Sequence, residues 1–318
     1  MILPSIIDAM DSTPLVELSR LRDGMELDGR ILAKLDYLLP GSSKKDRAAR
    51  TIIEDARLSG ELQPGQTVVE LTSGNMGTGL AIVCGVLGHP FVAVMSEGNS
   101  PERARMMRAL GAEVVLIPQA PGSQVGEVSG ADLDLVDDAA KQLTEERRAF
   151  RADQFKRNGN PRAHETGTAP EIWQQSDGQV TAFCDFVGSG GTLGGAARFF
   201  ADHGVRCYAV EPKGAEALSE GDTSAPQHPI QGGGYMIKDP EHLDVPALSG
   251  VLSVSADDVR TYARLLAERE GIFGGFSAGA NCAAAVQLLG AQEKGGTIAI
   301  VICDSGLKYL STDLWGKI

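Results

Sequence analysis

A glycine-rich segment with the sequence GSGGT occupies residues 188–192, between an apolar run and a stretch typical of a helix that starts near Leu193. Glycines let successive backbone N–H groups turn toward one point, and the start of a helix adds positive potential there. The pattern indicates a phosphate-binding loop. Two other interpretations stay open. One is a tight strand-to-helix turn; the other is a dinucleotide-binding turn, because Glu211 ends the next strand where a ribose-binding acid would stand, although Leu193 replaces the third glycine.

A second loop, TSGNMG at residues 72–77, lies between a predicted strand and a predicted helix. Its hydroxyl and backbone N–H groups could hold a carboxylate at the start of the helix. Asn75 adds a neutral donor and a neutral acceptor. Simple helix capping would explain the same residues if this loop were considered alone.

Two further segments carry side chains that could react with or bind a ligand. Residues 40–47 (PGSSKKDR) place Lys44 and Lys45 at the entrance to a helix. Adjacent lysines are usually solvated, but a lysine held in a low-dielectric cleft loses proton affinity and becomes a nucleophile and a base. Residues 274–281 (GGFSAGAN) place Ser277 before an alanine-rich helix, where a role as the helix N-cap would explain it equally well.

The elements that must position these loops alternate along the chain between short apolar strands and helical stretches, which predicts parallel sheets covered on both faces. The predicted strands are 67–71, 91–95, 113–117, 180–187, 207–210 and 297–302, and the predicted helices include 77–87, 101–110 and 131–150. Ligands of such sheets lie beyond the carboxyl ends of the strands, where the four loops fall. A second α/β series begins near residue 155, which indicates two lobes with a cleft between them. Residues 121–130 are typical of a surface loop.

The 318 residues carry a formal net charge of −13. An acidic surface repels nucleic acid and anionic lipid, so we expect neither as a partner. The longest apolar stretches are only strand-sized and the first residues lack the features of a signal peptide, which favours a cytosolic protein without a membrane span. The five cysteines form no CxxC pair and no Cys/His cluster, which favours buried reduced thiols over a metal site or disulfides.

Together the four loops resemble the cysteine synthase and cystathionine β-synthase family, whose members use pyridoxal 5′-phosphate (PLP) and have the tryptophan-synthase-β-like fold, fold type II. SSKKDR resembles the family's lysine segment, in which lysine precedes Asp-Arg, and this register selects Lys45. TSGNMG is similar to its substrate loop and GSGGT to its phosphate loop. Ser277 falls where the family places the partner of the pyridine nitrogen. Further matches run in order from residues 12–15 through 154–155, His164 and 230–232 to 304–312, so the resemblance covers nearly the whole chain.

The resemblance implies a two-lobed, three-layer αβα fold of the α/β class with largely parallel sheets. Residues 1–44 and 155–318 would form a large PLP-binding lobe, and residues 45–154 a smaller, mobile lobe on the substrate side. It also implies a homodimer. Lys45 would be the catalytic residue, which binds PLP covalently and removes the α-proton of the substrate. Residues implied in cofactor binding are Lys45, Asn75, Gly188, Ser189, Gly190, Gly191, Thr192 and Ser277. Residues implied in substrate binding are Thr72, Ser73, Gly74, Met76, Gln154 and Tyr235.

Ser277 bears on the type of reaction. A carboxylate beside the pyridine nitrogen would keep it protonated and make the ring a strong electron sink, whereas a neutral hydroxyl leaves the nitrogen largely unprotonated. We therefore expect β-replacement on an activated L-serine, such as O-acetyl- or O-phosphoserine, through an α-aminoacrylate intermediate, with a sulfur or amine nucleophile. A PLP-dependent β-eliminating lyase is the alternative. An NAD-binding oxidoreductase, a different class, leaves Lys45, Asn75 and Ser277 unexplained.

Three residues depart from the family pattern. Met76 stands where threonine is usual, and Lys44 replaces a residue that is usually apolar. Tyr235 lies in IQGGGYMI, near a segment that in the family helps to close over the substrate. These departures bear on the substrates rather than on the cofactor. The leaving group and the nucleophile therefore stay open, with an amine or a larger thiol as alternatives to sulfide.

Overall fold

The computed structural model describes residues 2–123 and 128–316. Ten strands form two sheets within these ranges. The strands are β1 (Leu15–Glu17), β2 (Arg30–Lys34), β3 (Val68–Leu71), β4 (Phe91–Ser96), β5 (Glu113–Ile117), β6 (Phe150–Arg151), β7 (Ala182–Phe186), β8 (Arg206–Pro212), β9 (Gly250–Val254) and β10 (Thr297–Val301).

The α-helices in the described ranges pack against both faces of these sheets. They are α1 (Ser19–Gly24), α2 (Lys45–Ser59), α3 (Asn75–Leu87), α4 (Pro101–Ala109), α5 (Gly130–Glu146), α6 (Gly159–Ala163), α7 (Ala169–Gln175), α8 (Gly191–Ala201), α9 (Ala256–Glu270) and α10 (Phe276–Gly290). A π-helical turn, His164–Thr168, joins α6 to α7. No helix in the described ranges is both long and apolar enough to cross a membrane.

The larger sheet has the order β1-β2-β10-β7-β8-β9, and the smaller has the order β5-β4-β3-β6. Every pair in the smaller sheet is parallel, and only β1 is antiparallel in the larger one. The prediction of largely parallel sheets in an α/β fold is thus confirmed. Three strands of the larger sheet escaped prediction, because β1 is very short and neither β2 nor β9 has a long apolar run.

Each sheet is the middle layer of three, because side chains alternate between its two faces. Along β10, Ile298 and Ile300 join a core with α9 and α10, whereas Ala299 and Val301 join a core with α7 and α8. The smaller sheet likewise contributes to a core with α2, α3 and α4 on one face and to a core with α5 on the other. Loops that leave the carboxyl ends of the strands are consequently held from two sides.

Most predicted elements lie where the sequence placed them, but the long helix predicted for residues 131–150 does not. It starts one residue earlier, at Gly130, where Ser129 and Asp132 form a capping box. It ends at Glu146, because Arg148 adopts a positive φ of 47° and Phe150 already belongs to β6. A left-handed residue ends a helix, and no single-sequence pattern marks Arg148 for that conformation. Residues 124–127 of the predicted surface loop lie outside the described residues.

The start of α2, which carries the two candidate lysines, is fixed by a buried arginine. Arg47 donates to both oxygens of Asp36 at 3.0 and 3.1 Å, and to both oxygens of Glu171 at 2.6 and 2.9 Å. Thr13 donates a further hydrogen bond to Asp36 at 2.6 Å. A fully satisfied buried network of this kind holds one geometry, since every rearrangement would leave a charge unpaired. Lys45 lies only two residues away from this anchor.

Replacing Arg47 with methionine should therefore destabilise the protein strongly, because the Asp36 carboxylate would stay buried without its cation. We expect the free energy of unfolding in urea to fall by about 3–5 kcal/mol. Arg50→Met is the matched control on the same helix, since its partners Asp11 and Glu54 are exposed, and it should cost less than about 1 kcal/mol. Equal losses for the two variants would contradict the anchoring role of Arg47.

Candidate active site

The four loops of the sequence analysis converge on one cleft beyond the carboxyl ends of β3 and β7. Lys44, Lys45, Asn75, Ser277 and the loop 188–192 all line this cleft. An adjoining pocket shares Lys45, Asn75 and Ser189 with it. The lining of that pocket also includes Thr72, Ser73, Met76, Gln154 and Tyr235. Side chains that are far apart in the sequence thus share two connected spaces, one suited to a cofactor and one to a substrate.

The loop 188–192 forms a turn into α8 that can hold an anion. Gly190 has a φ of +80°, a conformation that favours glycine, and α8 begins at Gly191. A Cβ on Gly188 would lie 2.5 Å from the carbonyl oxygen of Gly232, so this position also requires glycine. The N–H groups at the start of a helix have no partner within the helix. Together with the helix dipole they favour a phosphate group here.

Two buried side chains orient the hydroxyl groups of this loop. Asn160 donates to the Ser189 hydroxyl at 2.8 Å, so that hydroxyl accepts from the protein and keeps its own hydrogen for a ligand. His164 lies 3.3 Å from the Thr192 hydroxyl and 2.9 Å from that of Thr168. Burial, followed by the nearby Lys44 and Lys45 ammonium groups, lowers the pKa of His164 well below its usual range. The imidazole is therefore neutral and acts as a hydrogen-bonding support.

The two lysines point into different environments although they are adjacent. The Lys44 ammonium donates to both oxygens of Asp185 at 2.6 and 2.7 Å, and both groups are buried. Burial alone would lower the pKa of Lys44, but the Asp185 carboxylate outweighs it and raises that pKa. The Lys45 amine lies 3.2 Å from the Ser189 hydroxyl. Burial, followed by the Lys44 charge, lowers the pKa of Lys45 to about 8. Lys45 is thus the lysine that can act as a free amine.

Asn75 is held firmly from the larger sheet's side of the cleft. Its oxygen accepts from Lys308 at 2.8 Å, and its nitrogen donates to Asp304 at 2.7 Å. One N–H of the amide remains for a ligand in the cleft. Burial lowers the pKa of Lys308 to about 8, and the neighbouring Asp304 opposes this effect. The amide is therefore presented in one orientation, as a donor.

The loop 72–77 combines capping with an open face. The Thr72 hydroxyl accepts from the N–H groups of Gly74 and Gly77 at 2.9 and 3.0 Å, so this residue caps α3. Gly74 has a φ of +126° and packs against the Arg103 side chain. The Ser73 hydroxyl lies 2.5 Å from the Tyr235 hydroxyl, a contact that closes the pocket from the opposite side. The N–H groups of Asn75 and Met76 stay available at the start of α3.

Two residues implied in substrate binding have additional roles. Met76 lines the pocket but is only 2% exposed, and it belongs to the core between the smaller sheet and α2, α3 and α4. The Gln154 amide donates to Glu70 at 3.2 Å and to the Leu71 carbonyl at 3.3 Å, which leaves its oxygen for the pocket. The resemblance implied Gln154 in substrate binding, and in this arrangement its N–H groups are engaged by the protein. Direct contact of either residue with substrate stays a prediction.

Ser277 differs from the sequence interpretation in one respect. The N-cap of α10 is Gly275, and no side chain caps this helix, so Ser277 lies inside the first turn. Gly275, in extended conformation, is the N-cap that the sequence analysis considered for Ser277. The Ser277 hydroxyl instead contacts the thiol of Cys303, which lines the same cleft. Freed from capping, this neutral hydroxyl faces a potential ligand.

Comparisons with known proteins identify the family to which the chain belongs. The family model described as "Pyridoxal-phosphate dependent enzyme" matches residues 6–304. The chain is 38% identical to cysteine synthase 3 of Caenorhabditis elegans over 98% of its own length and 89% of that protein. It also resembles the crystal structure of an O-ureido-L-serine synthase (35% identity, TM-score 0.87, 99% and 96% of the two chains). An O-acetylserine-dependent cystathionine β-synthase from Helicobacter pylori matches at 30% identity, with a TM-score of 0.88 and 99% of both chains covered.

The chain belongs to the pyridoxal-phosphate dependent enzyme family. Its cofactor is PLP, and it is a fold-type II enzyme that acts at the β-carbon of an amino acid. The reaction class is PLP-dependent β-replacement on an activated serine. The predicted cofactor, fold and reaction class are thereby confirmed.

The cleft of this PLP enzyme fits the cofactor on the residues that it presents. Its anion-binding turn suits the phosphate of PLP, and its amine with a lowered pKa suits the aldehyde carbon. The oriented amide donor suits the ring oxygen, and the neutral hydroxyl suits the ring nitrogen. The residues that would hold PLP are accordingly Lys45, Asn75, Gly188, Ser189, Gly190, Gly191, Thr192 and Ser277. Asn160, which orients Ser189, was missed by the sequence analysis, because an isolated asparagine within the first turn of a short helix carries no recognisable signal.

The interpretation as a dinucleotide-binding turn is not supported, because the acid that it needs is occupied. Glu211 accepts from the N–H groups of Leu218 and Ser219 at 2.8 and 3.1 Å, and from the Ser219 hydroxyl at 2.5 Å. It therefore closes a local loop instead of facing a ribose. All five cysteines are buried free thiols. Among the described residues, no group of three or more His, Cys, Asp or Glu side chains is placed to hold a metal ion.

The lowered pKa of Lys45 predicts how the cofactor-free enzyme captures PLP. Only the neutral amine attacks the PLP aldehyde, so the rate of capture should increase with pH and level off above about 8, instead of above the ordinary value of 10.5. The measurement is the rate at which the visible absorption band of lysine-bound PLP appears, from pH 6 to pH 10 in roughly half-unit steps. Lys45→Arg should never develop the band. A wild-type rate that still increases steeply above pH 9 (about one unit beyond the expected midpoint) would contradict the assignment.

Proposed function

We propose that this enzyme replaces the leaving group of an O-acylated or O-phosphorylated L-serine with an organic thiol or an amine. One observation carries the proposal. The Lys45 amine, whose pKa is lowered, lies between an anion-binding turn and a substrate pocket. The neutral Ser277 hydroxyl lines the same cleft. This arrangement supports removal of an α-proton and expulsion of a β-substituent.

When bound, PLP withdraws electrons from the amino acid attached to it and so makes the α-proton acidic. The protein supplies the remaining functions. The loop 188–192 would hold the phosphate, Asn75 would donate to the ring oxygen, and the Lys45 amine would take up the α-proton. Since burial lowers the pKa of Lys45 to about 8, the amine is a usable base near neutral pH and can return the proton afterwards. One buried group can therefore both accept the α-proton and return it.

The substrate carboxylate is held by the loop 72–77. The N–H groups at the start of α3 and the Ser73 hydroxyl point into the pocket, and the helix dipole favours a negative charge there. Thr72 contributes by capping α3 and thereby fixing these donors. Gly74 allows the turn, because its φ of +126° and its contact with Arg103 exclude a side chain. These assignments require that the Ser73 hydroxyl accepts from Tyr235 and donates its own hydrogen to the carboxylate, so that the bond to Tyr235 persists in the complex.

A further cleft of about 500 Å³ adjoins the site and supports a nucleophile larger than sulfide. Leu71, Phe155 and Ser189 line its inner end, and Lys141 and Glu241 are among the charged residues farther out. A sulfide ion would need no such space. The similar proteins are named for cysteine, O-ureido-L-serine and cystathionine. These products differ in their β-substituents, which supports a fold that accommodates acceptors of different sizes.

We also propose the lobe boundaries, assembly and location that the sequence implied. The smaller sheet is built from residues 68–151 and the larger from residues 15–34 and 182–301. This division supports a small lobe of residues 45–154 that moves against a large lobe of residues 1–44 and 155–318. A homodimer follows from the family resemblance and is testable by light scattering. Five free buried thiols support a reducing compartment such as the cytosol.

Product analysis tests the function directly. The PLP-loaded enzyme is incubated with O-acetyl-L-serine or O-phospho-L-serine, together with sulfide, L-homocysteine or a primary amine, and the products are identified by mass spectrometry. We expect a new β-substituted amino acid, formed faster with an organic nucleophile than with sulfide. Lys45→Ala should lose nearly all turnover, by about 10³-fold or more. Pyruvate and ammonia as the main products despite added nucleophile would establish the β-eliminating alternative, and preference for sulfide would contradict the larger acceptor.

Tyr235 should affect substrate binding more than turnover, because its hydroxyl hydrogen-bonds to Ser73 at 2.5 Å. Loss of such a bond costs about 0.5–1.5 kcal/mol, so Tyr235→Phe should raise KM for the donor by up to about tenfold with a smaller change in kcat. Tyr208→Phe is the matched control, since its hydroxyl binds Glu293 outside the cleft. A fall in kcat with unchanged KM in Tyr235→Phe would indicate a direct role in catalysis instead.

A further inference from the structure

The buried ion pair between Lys44 and Asp185 has no part in the reaction described above, although both residues line the cofactor cleft. Lys44 is 8% exposed and Asp185 only 1%. The ammonium contacts both carboxylate oxygens, at 2.6 and 2.7 Å. Removing two charges from water is costly, and a well-packed apolar pair of the same volume is often equally stable or more stable. The position of the pair therefore calls for a reason other than stability.

The ion pair is connected to the residue proposed to face the ring nitrogen. Asn281 donates to Asp185 at 3.0 Å and approaches the Cys303 sulfur at 3.4 Å. The Cys303 sulfur in turn lies 3.7 Å from an Asp185 oxygen and contacts the Ser277 hydroxyl. Ser277, Cys303, Lys44 and Asp185 thus form a continuous lining at one end of the cleft. Asp185 is the carboxylate in this lining, so its charge would act on a ring bound beside Ser277.

We propose that Lys44 is the built-in counter-ion of Asp185, and that it keeps the negative charge of this carboxylate from favouring a protonated ring nitrogen in the bound cofactor. The inference rests on the proposed placement of the ring nitrogen at Ser277. A lone carboxylate beside the ring would favour a protonated nitrogen and a stronger electron sink, which suits reactions other than β-replacement. The paired ammonium cancels most of that field. Lys44 and Asp185 together are positioning residues that select the reaction without touching the substrate.

The charges of Lys44 and Asp185 also act in opposite directions on the pKa of Lys45. The Lys44 charge lowers the pKa of Lys45, whereas the Asp185 charge raises it, and both effects are weaker than that of burial. The two opposite charges leave Lys45 with a pKa set mainly by its burial. Removing Lys44 alone should therefore disturb the pKa of Lys45 as well as the protonation of the ring nitrogen. Removing both should disturb neither.

The test compares Lys44→Met, Asp185→Asn and the double variant, each loaded with PLP that carries ¹⁵N in the ring. The readout is the ¹⁵N chemical shift, which separates protonated from unprotonated nitrogen without any turnover. We expect the unprotonated position in the wild type, in Asp185→Asn and in the double variant, and the protonated position in Lys44→Met at neutral pH. Exchange of the α-hydrogen of bound L-alanine with D₂O should increase roughly tenfold in Lys44→Met, as for one unit of pKa change.

Lys34→Met is the matched control, because Lys34 is also buried and paired with a carboxylate, Glu171 at 2.6 Å, but does not line the cleft. It should lose stability and leave the ¹⁵N shift unchanged. If Lys44→Met folds too poorly for this measurement, Lys44→Gln replaces it, because glutamine removes the charge but keeps a hydrogen-bond donor for Asp185; it should show the same protonated position. An unprotonated nitrogen in a folded Lys44→Met or Lys44→Gln variant would overturn the proposal. A failure of β-replacement with the expected shifts would instead contradict the proposed function.

Discussion

The high cost of holding an ammonium group away from water determines the arrangement at the start of α2. Two consecutive lysines enter the same cleft, but only one of them finds a carboxylate. Lys44 keeps its proton because Asp185 is there, and Lys45 loses its proton readily because no anion lies equally close. Consecutive residues of a helix point about 100° apart, so the backbone itself separates the two environments. The chemistry of the site depends on this difference between neighbours.

Around the lysines, rigid groups replace what water would otherwise supply. Neutral His164 and Asn160 direct the hydroxyl groups of the phosphate loop, and the Lys308–Asp304 pair orients Asn75. Such supports are effective because they are already in place before a ligand binds and need not reorganise. A chain with a net charge of −13 can in this way bind a doubly charged phosphate, since local N–H groups outweigh the distant surface charge.

The sequence predicted those parts of the fold and site that have local signals. Glycine-rich turns between apolar runs and helices identified the loops 188–192 and 72–77, and the strand–helix alternation identified both sheets. It could not predict pairs that meet only in three dimensions. Asp185 lies within an apolar run, which is typical of a core position. It forms an ion pair with Lys44, which is 141 residues away in the sequence. Ser277 looked like a helix cap because serine commonly is one, and the extended conformation of Gly275 carries no signal in the sequence.

The environment of Asn75 has a consequence for how this chain can diverge. Its amide oxygen accepts from Lys308, and one of its N–H groups donates to Asp304. Asp304 also accepts from Tyr309 and lies 3.5 Å from Arg103. A change at any one of these positions leaves a buried polar group without its hydrogen-bond partner. Accepted substitutions must therefore occur jointly, and Asn75, Asp304 and Lys308 should co-vary as a set across descendants of this chain. Lineages that alter only one of them would have to rebuild the cofactor's ring contact by another route.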